Sequence, residues 1–267
     1  MKRLLIILLV LSAPLVHAAD YVIATGENGT EEVYVSEHML HADWTDYAAL
    51  WLPFPANKLA GTYYDYSPDS SDFTMATASQ RPTWNSANSG HYRFDGDNDR
   101  ISRSVSAGQD LTCSSDSVTF AFWMYQLSGG DWYQRIFDKS TGGNGANGYC
   151  LGTEYGGEGR FFLSVDGNRI GGVYDASPVY NVWVHIVVTW NGSQAVFYKN
   201  GAGKTAHVEG DDIPDTTGTL RIGTGYTTAI EFKGYLDDIR VYTRVLGDAE
   251  VTALYERRDT VYGHSDP

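Results

Sequence analysis

Cysteine is nearly absent: the 267-residue chain holds only Cys113 and Cys150. Neither neighbourhood, LTCSSD or GYCLGT, offers a histidine, so a catalytic thiol would lack its base. Basic residues are scarce as well. Nineteen Lys and Arg face 33 Asp and Glu, for a formal net charge of −14. Nucleic acid needs a basic footprint and is a poor partner for such a surface. Charge of either sign is thin at 19% of residues, whereas apolar types reach 42%, so there is ample surface to bury and disorder is not expected. Beyond the N-terminus no segment approaches a membrane span in length, and the chain is read as not membrane-spanning. No internal repeat and no long Pro- or Ser-rich linker divides the sequence, and its length suits one large β domain or two small ones.

What is present begins with an export signal. Lys2 and Arg3 precede an apolar stretch from Leu4 to Val16, and Ala18 and Ala19 follow. That order predicts a signal peptide over residues 1–18 and a secreted, extracellular or periplasmic protein. In such an oxidising compartment the isolated pair Cys113 and Cys150 is expected to form a disulfide. Aromatics make up 13% of the chain and glycine contributes 29 residues, a mixture suited to ring-packed sheets and tight turns. The acid-rich composition suits calcium, which prefers carboxylate and carbonyl oxygen.

Residues 19–47 read as an extended lead-in, with a short helix around Ser36 to Leu40. From Ala48 onward, short apolar runs alternate with Gly, Asn and Asp clusters, which predicts strands and turns. The clearest strands are Ser117–Tyr125, Arg135–Lys139, Arg160–Val165, Trp183–Trp190, Ala195–Lys199, Leu220–Gly223 and Tyr235–Tyr242. In Val118–Tyr125 both faces are apolar, so that strand is either covered on both sides or lines a sheltered concave surface. Asn191-Gly192 predicts an antiparallel hairpin between Trp183–Trp190 and Ala195–Lys199, and Asn200-Gly201 marks the next reversal. One helix is expected, Asp248–Glu256, with Gly247 at its N-cap and Glu250 reaching back as in a capping box. The predicted fold is all-β, a two-sheet antiparallel sandwich with one short C-terminal helix.

GYLDDIRVYTRVLGDAEVTALY, Gly234 to Tyr255, resembles the closing signature of laminin-G-like, concanavalin A-like jelly-roll domains. FDGDNDRI at Phe94–Ile101 is similar to the family's Phe-Asp-Gly segment. VTFAFWMY, RIFDKS and WVHIVVTWNGSQAVFYKNG follow in the family's order, and LWLPF at Leu50–Phe54 resembles its opening strand. The resemblance places a jelly-roll domain over residues 48–256, leaving 257–267 as a tail. Three positions depart from the pattern. Asn98 stands where the family often has Asp, Arg100 where it has an apolar or aromatic residue, and Gly247 where a Ser or Thr cap is usual.

Many members of the family hold calcium where the Phe-Asp-Gly turn meets the acidic pair of the closing strand. The resemblance therefore implies a calcium site at Asp95, Asp97, Asp99 and Asp237. Strand alternation places Asp237 on the same face as Ile239 and Val241, toward the core, where a carboxylate needs a partner or a metal. Asp238 is expected to face the other way and pair with an Arg. An EF-hand is excluded, since Arg100 occupies the required Gly position. His38 and His41 lack a third ligand and read as a solvated segment, and His185 reads as packing.

Glycan hydrolysis or lysis also occurs on this fold. The laminarinase-like pattern Glu-x-Asp-x-x-Glu is missing, however, and Glu154 and Glu158 flank a glycine turn rather than sharing a strand. The expectation is a non-catalytic module that binds a glycan or cell-surface polysaccharide. A protein-binding or structural adhesion role is the alternative, and a glycan enzyme the second alternative. The candidate ligand-binding residues are the loop aromatics beside glycines: Trp132, Tyr133, Tyr155, Tyr174 and Tyr226. Trp51, Trp123, Trp183 and Trp190 fall within strands and are expected in the core.

Overall fold

The computed structural model describes residues 22–25, 31–34, 48–52, 62–63, 65, 67, 72–85, 91–105, 111, 117–154, 160–173, 180–208, 213–214, 217–227 and 230–261. The chain divides into two compact units, residues 1–41 and 42–267. The first contains an antiparallel hairpin of β1 (Val22–Thr25) and β2 (Glu31–Tyr34), paired from Val22↔Tyr34 to Thr25↔Glu31. The helix expected around Ser36–Leu40 lies outside the described residues, as do His38 and His41.

The second unit holds two eight-stranded sheets. In sheet I the spatial order is β13 (Asn168–Val173), β12 (Arg160–Val165), β11 (Tyr149–Glu154), β10 (Tyr133–Lys139), β17 (Gly218–Ile222), β8 (Ile101–Val105), β5 (Phe73–Met75) and β4 (Thr62–Tyr63). In sheet II it is β16 (Ala202–Val208), β15 (Gln194–Lys199), β14 (Trp183–Trp190), β9 (Val118–Gln126), β18 (Lys233–Tyr242), β7 (His91–Asp95) and β6 (Thr83–Asn85), with β3 (Ala48–Leu52) also on β18. All pairings between these strands are antiparallel. The predicted strands are there, most within one or two residues of their expected ends.

Alternation along each strand decides which residues enter the sandwich. Phe120, Phe122 and Met124 of β9, Ile186, Val188 and Trp190 of β14, Leu151 of β11, Leu163 of β12 and Ile222 of β17 form one buried core shared by both sheets. Ala121 of β9, Val187 of β14 and Tyr242 of β18 point the opposite way, into a second apolar cluster. There they meet Val251 and Leu254 of the single described α-helix, α1 (Asp248–Val261), together with Trp51. The helix thus covers part of the outer face of sheet II. Its start follows the expected design: the Gly247 N–H donates to Glu250 Oε2 at 2.8 Å, and the Val251 N–H donates to the Gly247 carbonyl at 3.0 Å. Arg244, which hydrogen-bonds Glu250, holds that carboxyl below its ordinary pKa.

The turns carry their expected chemistry with one difference. Asn200 and Gly201 both take positive φ, at 51° and 75°, as the two-residue reversal between β15 and β16 requires. In the preceding hairpin only Gly192 does, at 85°. Asn191 acts there through its side chain, whose Oδ1 accepts from the backbone N–H groups of Ser193 and Gln194 at 3.1 and 2.7 Å.

Candidate functional site

The Asp-rich turn between β7 and β8 is held by its own carboxylates. Asp95 Oδ1 accepts the Asp97 N–H at 2.9 Å, and Asp99 Oδ2 accepts the Asp95 N–H at 2.9 Å. Asp99 is buried, and burial pushes its carboxyl up to about 6 despite that backbone hydrogen bond. Asn98 Oδ1 is buried without a hydrogen-bond donor.

Asp237 is not part of this turn. Asp95 pairs with Lys233, and Leu236 pairs with Tyr92, so Asp237 lies four residues further along β18, about 13 Å at a strand's rise. The expected facing of Asp237 is also corrected. Asp237 pairs with Trp123, while Arg240 pairs with Ala121, so three steps on β18 answer two on β9. The extra residue is a β-bulge, with Asp238 at φ +45°. The bulge resets the alternation: Leu236, Ile239 and Val241 enter the core, whereas Asp237 shares the outer face with Trp123. Its Oδ1 accepts the Asp238 N–H at 2.7 Å. Among the described residues no three His, Cys, Asp or Glu side chains converge to hold a metal ion. The four-residue calcium set is therefore not a single site.

Asp238 does meet an arginine. Arg240 Nε and Nη2 donate to its two carboxylate oxygens at 2.9 and 3.0 Å, and the Trp51 Nε1–H donates to Oδ1 at 3.0 Å. The Arg240 guanidinium also lies 4.8 Å from the Trp51 ring centroid. All three groups are buried, so this ion pair fixes the bulge rather than offering a site.

The loop aromatics divide. Trp132 is 66% exposed, Tyr226 46% and Tyr133 43%, the three exposed aromatic side chains among the described residues. Tyr155 and Tyr174 lie outside the described residues. Tyr133 pairs with Glu154, and Arg160 pairs with both Glu154 and Val173, so β10 to β13 end in one row at one end of sheet I. Beside Tyr133, Arg169 forms an ion pair with Glu154, and its guanidinium lies 5.7 Å from the Tyr133 ring and 4.3 Å from the Phe162 ring. Glu154 is thus engaged by Arg169; Glu158 lies outside the described residues. Gly152 leaves room for Phe162, since a Cβ there would sit 3.2 Å from its ring and 2.2 Å from the Gln134 carbonyl. Tyr226 stands away from Tyr133, toward the other end of β10. Its N–H donates to Asp138 Oδ2 at 3.2 Å, and Arg221 lies 5.7 Å from its ring. Burial raises the Asp138 pKa, against the pull of Ser140, the Tyr226 N–H, Arg135 and Arg221.

Cys150, on the same outer face as Asp138, is a buried free thiol pushed up to about 12 by burial. The structure forms no bridge at Cys150, and Cys113 lies outside the described residues. A Cβ at Gly145 would come within 3.3 Å of the Cys150 sulfur, so the segment above it packs closely. His185 is buried against Trp123 and Tyr255, with ring centroids 5.1 and 6.1 Å away, in the packing role expected.

One aromatic group was missed in the sequence. Trp190 belongs to the core between the sheets, and Trp51 and Trp123 are buried on the helix-covered side, but Trp183 is only half-buried. It pairs with Tyr125, which pairs with Tyr235, on the outer face of sheet II beyond the helix. The signal was the apolar second face of Val118–Tyr125, which ends in an open surface at Tyr125.

The second unit is thus an antiparallel two-sheet sandwich with a helix on one face, exposed aromatics at one strand end and a second ring group on sheet II. The chain belongs to the concanavalin A-like lectin/glucanase superfamily, whose model matches residues 95–252. Similar solved structures include the receptor-binding domain of botulinum neurotoxin C/D mosaic serotype (TM-score 0.63, 15% identity, 80% of this chain and 52% of that one). The ligand-binding domain of botulinum neurotoxin serotype D, in complex with N-acetylneuraminic acid, matches with a TM-score of 0.61 at 16% identity, over 80% of this chain and 51% of that one. The receptor-binding domain of type G matches at 0.58 and 18%, over 79% and 51%. The chain spans about half the length of these structures, and at such identity the likeness concerns the fold. No helix among the described residues is long and apolar enough to cross a membrane.

Proposed function

We propose that this chain is an exported, non-catalytic recognition module that binds glycans through the strand-end surface of sheet I. The observation carrying this reading is Trp132, two-thirds exposed on a loop beside the partly exposed Tyr133. Next to Tyr133, Arg169 and Glu154 present fixed polar groups suited to sugar hydroxyls. The engagement of Glu154 by Arg169 supports binding over hydrolysis, because a retaining or inverting glycosidase needs two available carboxyl groups. The similar toxin domains are receptor- or ligand-binding domains, one of them in complex with N-acetylneuraminic acid, which supports the same class of role.

A glycan array followed by a reducing-sugar assay on each hit tests this reading. Wild-type protein should bind without releasing product. Because one stacked ring contributes on the order of 1 kcal/mol, Trp132→Ala should weaken binding several-fold while leaving the fold intact. Product release lost on Glu154→Gln would establish an enzyme, and no glycan binding would shift the reading to a protein-binding or structural role.

Calcium is kept as a proposal for the Asp95–Asp99 turn alone, supported by the donorless Asn98 Oδ1 and by an ion's preference for carboxylate, amide and carbonyl oxygen. Thermal unfolding with calcium and with chelator should differ, and Asp237→Ala should leave that difference unchanged. The Cys113–Cys150 bridge remains a proposal for the exported protein, and non-reducing peptide mapping checks it.

A further inference from the structure

We propose a second saccharide site, on the outer face of sheet II, at His91, Tyr125, Trp183 and Tyr235, taking neutral hexopyranose units. Its four rings lie on strands of sheet II, whereas Trp132 lies on the connection from β9 to β10, and the two are separated by the test below.

The four rings come from four successive strands. Tyr235 lies 5.0 Å from His91, 5.4 Å from Tyr125 and 6.3 Å from Trp183 between ring centroids. Trp183 lies 5.7 Å from Tyr125 and 5.3 Å from His91. Yet β14 and β7 are separated by β9 and β18, about 14 Å at the usual strand spacing. The Trp183 indole must therefore lie across the sheet face toward His91. Tyr125, Trp183 and Tyr235 keep part of their surface open, whereas the neighbouring Trp123 is buried where Tyr255 of α1 stacks on it at 5.7 Å and 22°. The helix accounts for that neighbouring aromatic group and not for this one.

The surroundings match the two faces of a sugar. Aromatic surface suits its C–H face. At the β7–β6 side, Arg93 pairs with Tyr235 and with Thr83, and both Arg93 and Thr83 are exposed on the same face as the rings. Neither side chain makes a hydrogen bond or an ion pair with another described residue, so donors stand ready for hydroxyl groups. Charge on this face is balanced, which suits a neutral sugar. Arg93 stands there with Asp95, two residues along β7, and with Lys233, which pairs with Asp95 and lies two residues before Tyr235 on β18; Asp99 is within electrostatic reach of Arg93. The backbone supports the arrangement at Gly234, where a Cβ would sit 2.3 Å from the Tyr125 carbonyl oxygen. That absent Cβ lets β18 lie close against β9 and sets Tyr235 beside Tyr125.

The test titrates the full chain with cellohexaose, maltohexaose, mannohexaose and galactohexaose, and with oligogalacturonate as the acidic probe. The Trp183 indole N–H resonance and tryptophan fluorescence are followed together. At least one neutral probe should shift Trp183. Trp183→Ala and, separately, Tyr235→Ala should weaken its binding about tenfold with the circular dichroism spectrum retained. Arg93→Ala should weaken it several-fold, and Trp132→Ala should leave it unchanged. The inference is overturned if no neutral probe moves the Trp183 resonance, if Trp132→Ala abolishes the shift, or if oligogalacturonate binds better than every neutral probe.

Discussion

Replacing Arg240 by Met removes one partner of a buried ion pair while keeping a similar apolar stem. Asp238 is 7% exposed and Arg240 3%, and the two share hydrogen bonds of 2.9 and 3.0 Å. In the variant the Asp238 carboxylate loses both guanidinium hydrogen bonds and keeps that of the Trp51 N–H. Breaking a buried pair from one side typically costs about 3–5 kcal/mol, because the remaining charge stays desolvated. For a unit of about 200 residues, each kcal/mol shifts the melting temperature by roughly 2–4 °C, so a fall of about 6–20 °C is expected. Asp238→Asn should cost less: Asn tolerates the φ of +45° and can still accept from Trp51. The double variant removes both charges and should be more stable than the sum of the single losses requires. Urea unfolding followed by tryptophan fluorescence measures all three. A loss under about 1 kcal/mol for Arg240→Met, or strict additivity in the double variant, would refute the view that this pair fixes the bulge.

Other outcomes follow from buried titratable groups and one glycine. Burial raises the native Asp99 carboxyl to about 6, so the native state holds its proton more tightly than the unfolded chain. The contribution is present below about pH 4 and lost as pH rises through about 6; Asp99→Asn should therefore gain on wild type over that window, by at most about 3 kcal/mol. A pH-independent difference in urea unfolding would contradict this. In the reduced protein Cys150, with its thiol pushed up to about 12, should resist alkylation at pH 8 until the chain unfolds, and rapid native labelling would count against its burial. Gly234→Ala should destabilise by several kcal/mol, because the added Cβ meets backbone rather than a movable side chain; a melting temperature within a few degrees of wild type would refute the close approach of β18 to β9.

Most of the sandwich was legible because its evidence is local. Alternating apolar residues, Asn-Gly reversals and the Gly247–Glu250 cap each depend on a few neighbours. The facing of Asp237 was not legible, since alternation assumes one residue per step and the bulge at Asp238 inserts another. A tandem Asp-Asp inside an apolar strand was the available hint: Asp tolerates positive φ better than most residues, and two adjacent carboxylates cannot both follow a simple in-and-out pattern. The expected calcium set joined the Asp95 turn to Asp237 by family pattern, whereas the pairing of β18 with β7 sets Asp237 four residues along β18 from the partner of Asp95.

Trp183 shows a different limit. Placement within a strand tells that a side chain alternates, but not what covers the face it reaches. On sheet II one row, Val187 and Ala121, lies beneath the helix, and another, Trp183, Tyr125 and Tyr235, lies past it. The boundary is set by where α1 crosses the sheet, which depends on the chain reversal after Tyr242 and on the pairing of Arg244 with Glu250 at the helix start. The aromatic rows on sheet II are therefore chemically alike in sequence and opposite in role. One row is glued to a helix by Trp123 and Tyr255; the other keeps ring surface in solvent at a cost that burial could have avoided. A tryptophan held part-exposed within a strand, across three neighbouring rings, calls for a ligand more strongly than one on a loop, where exposure comes without effort.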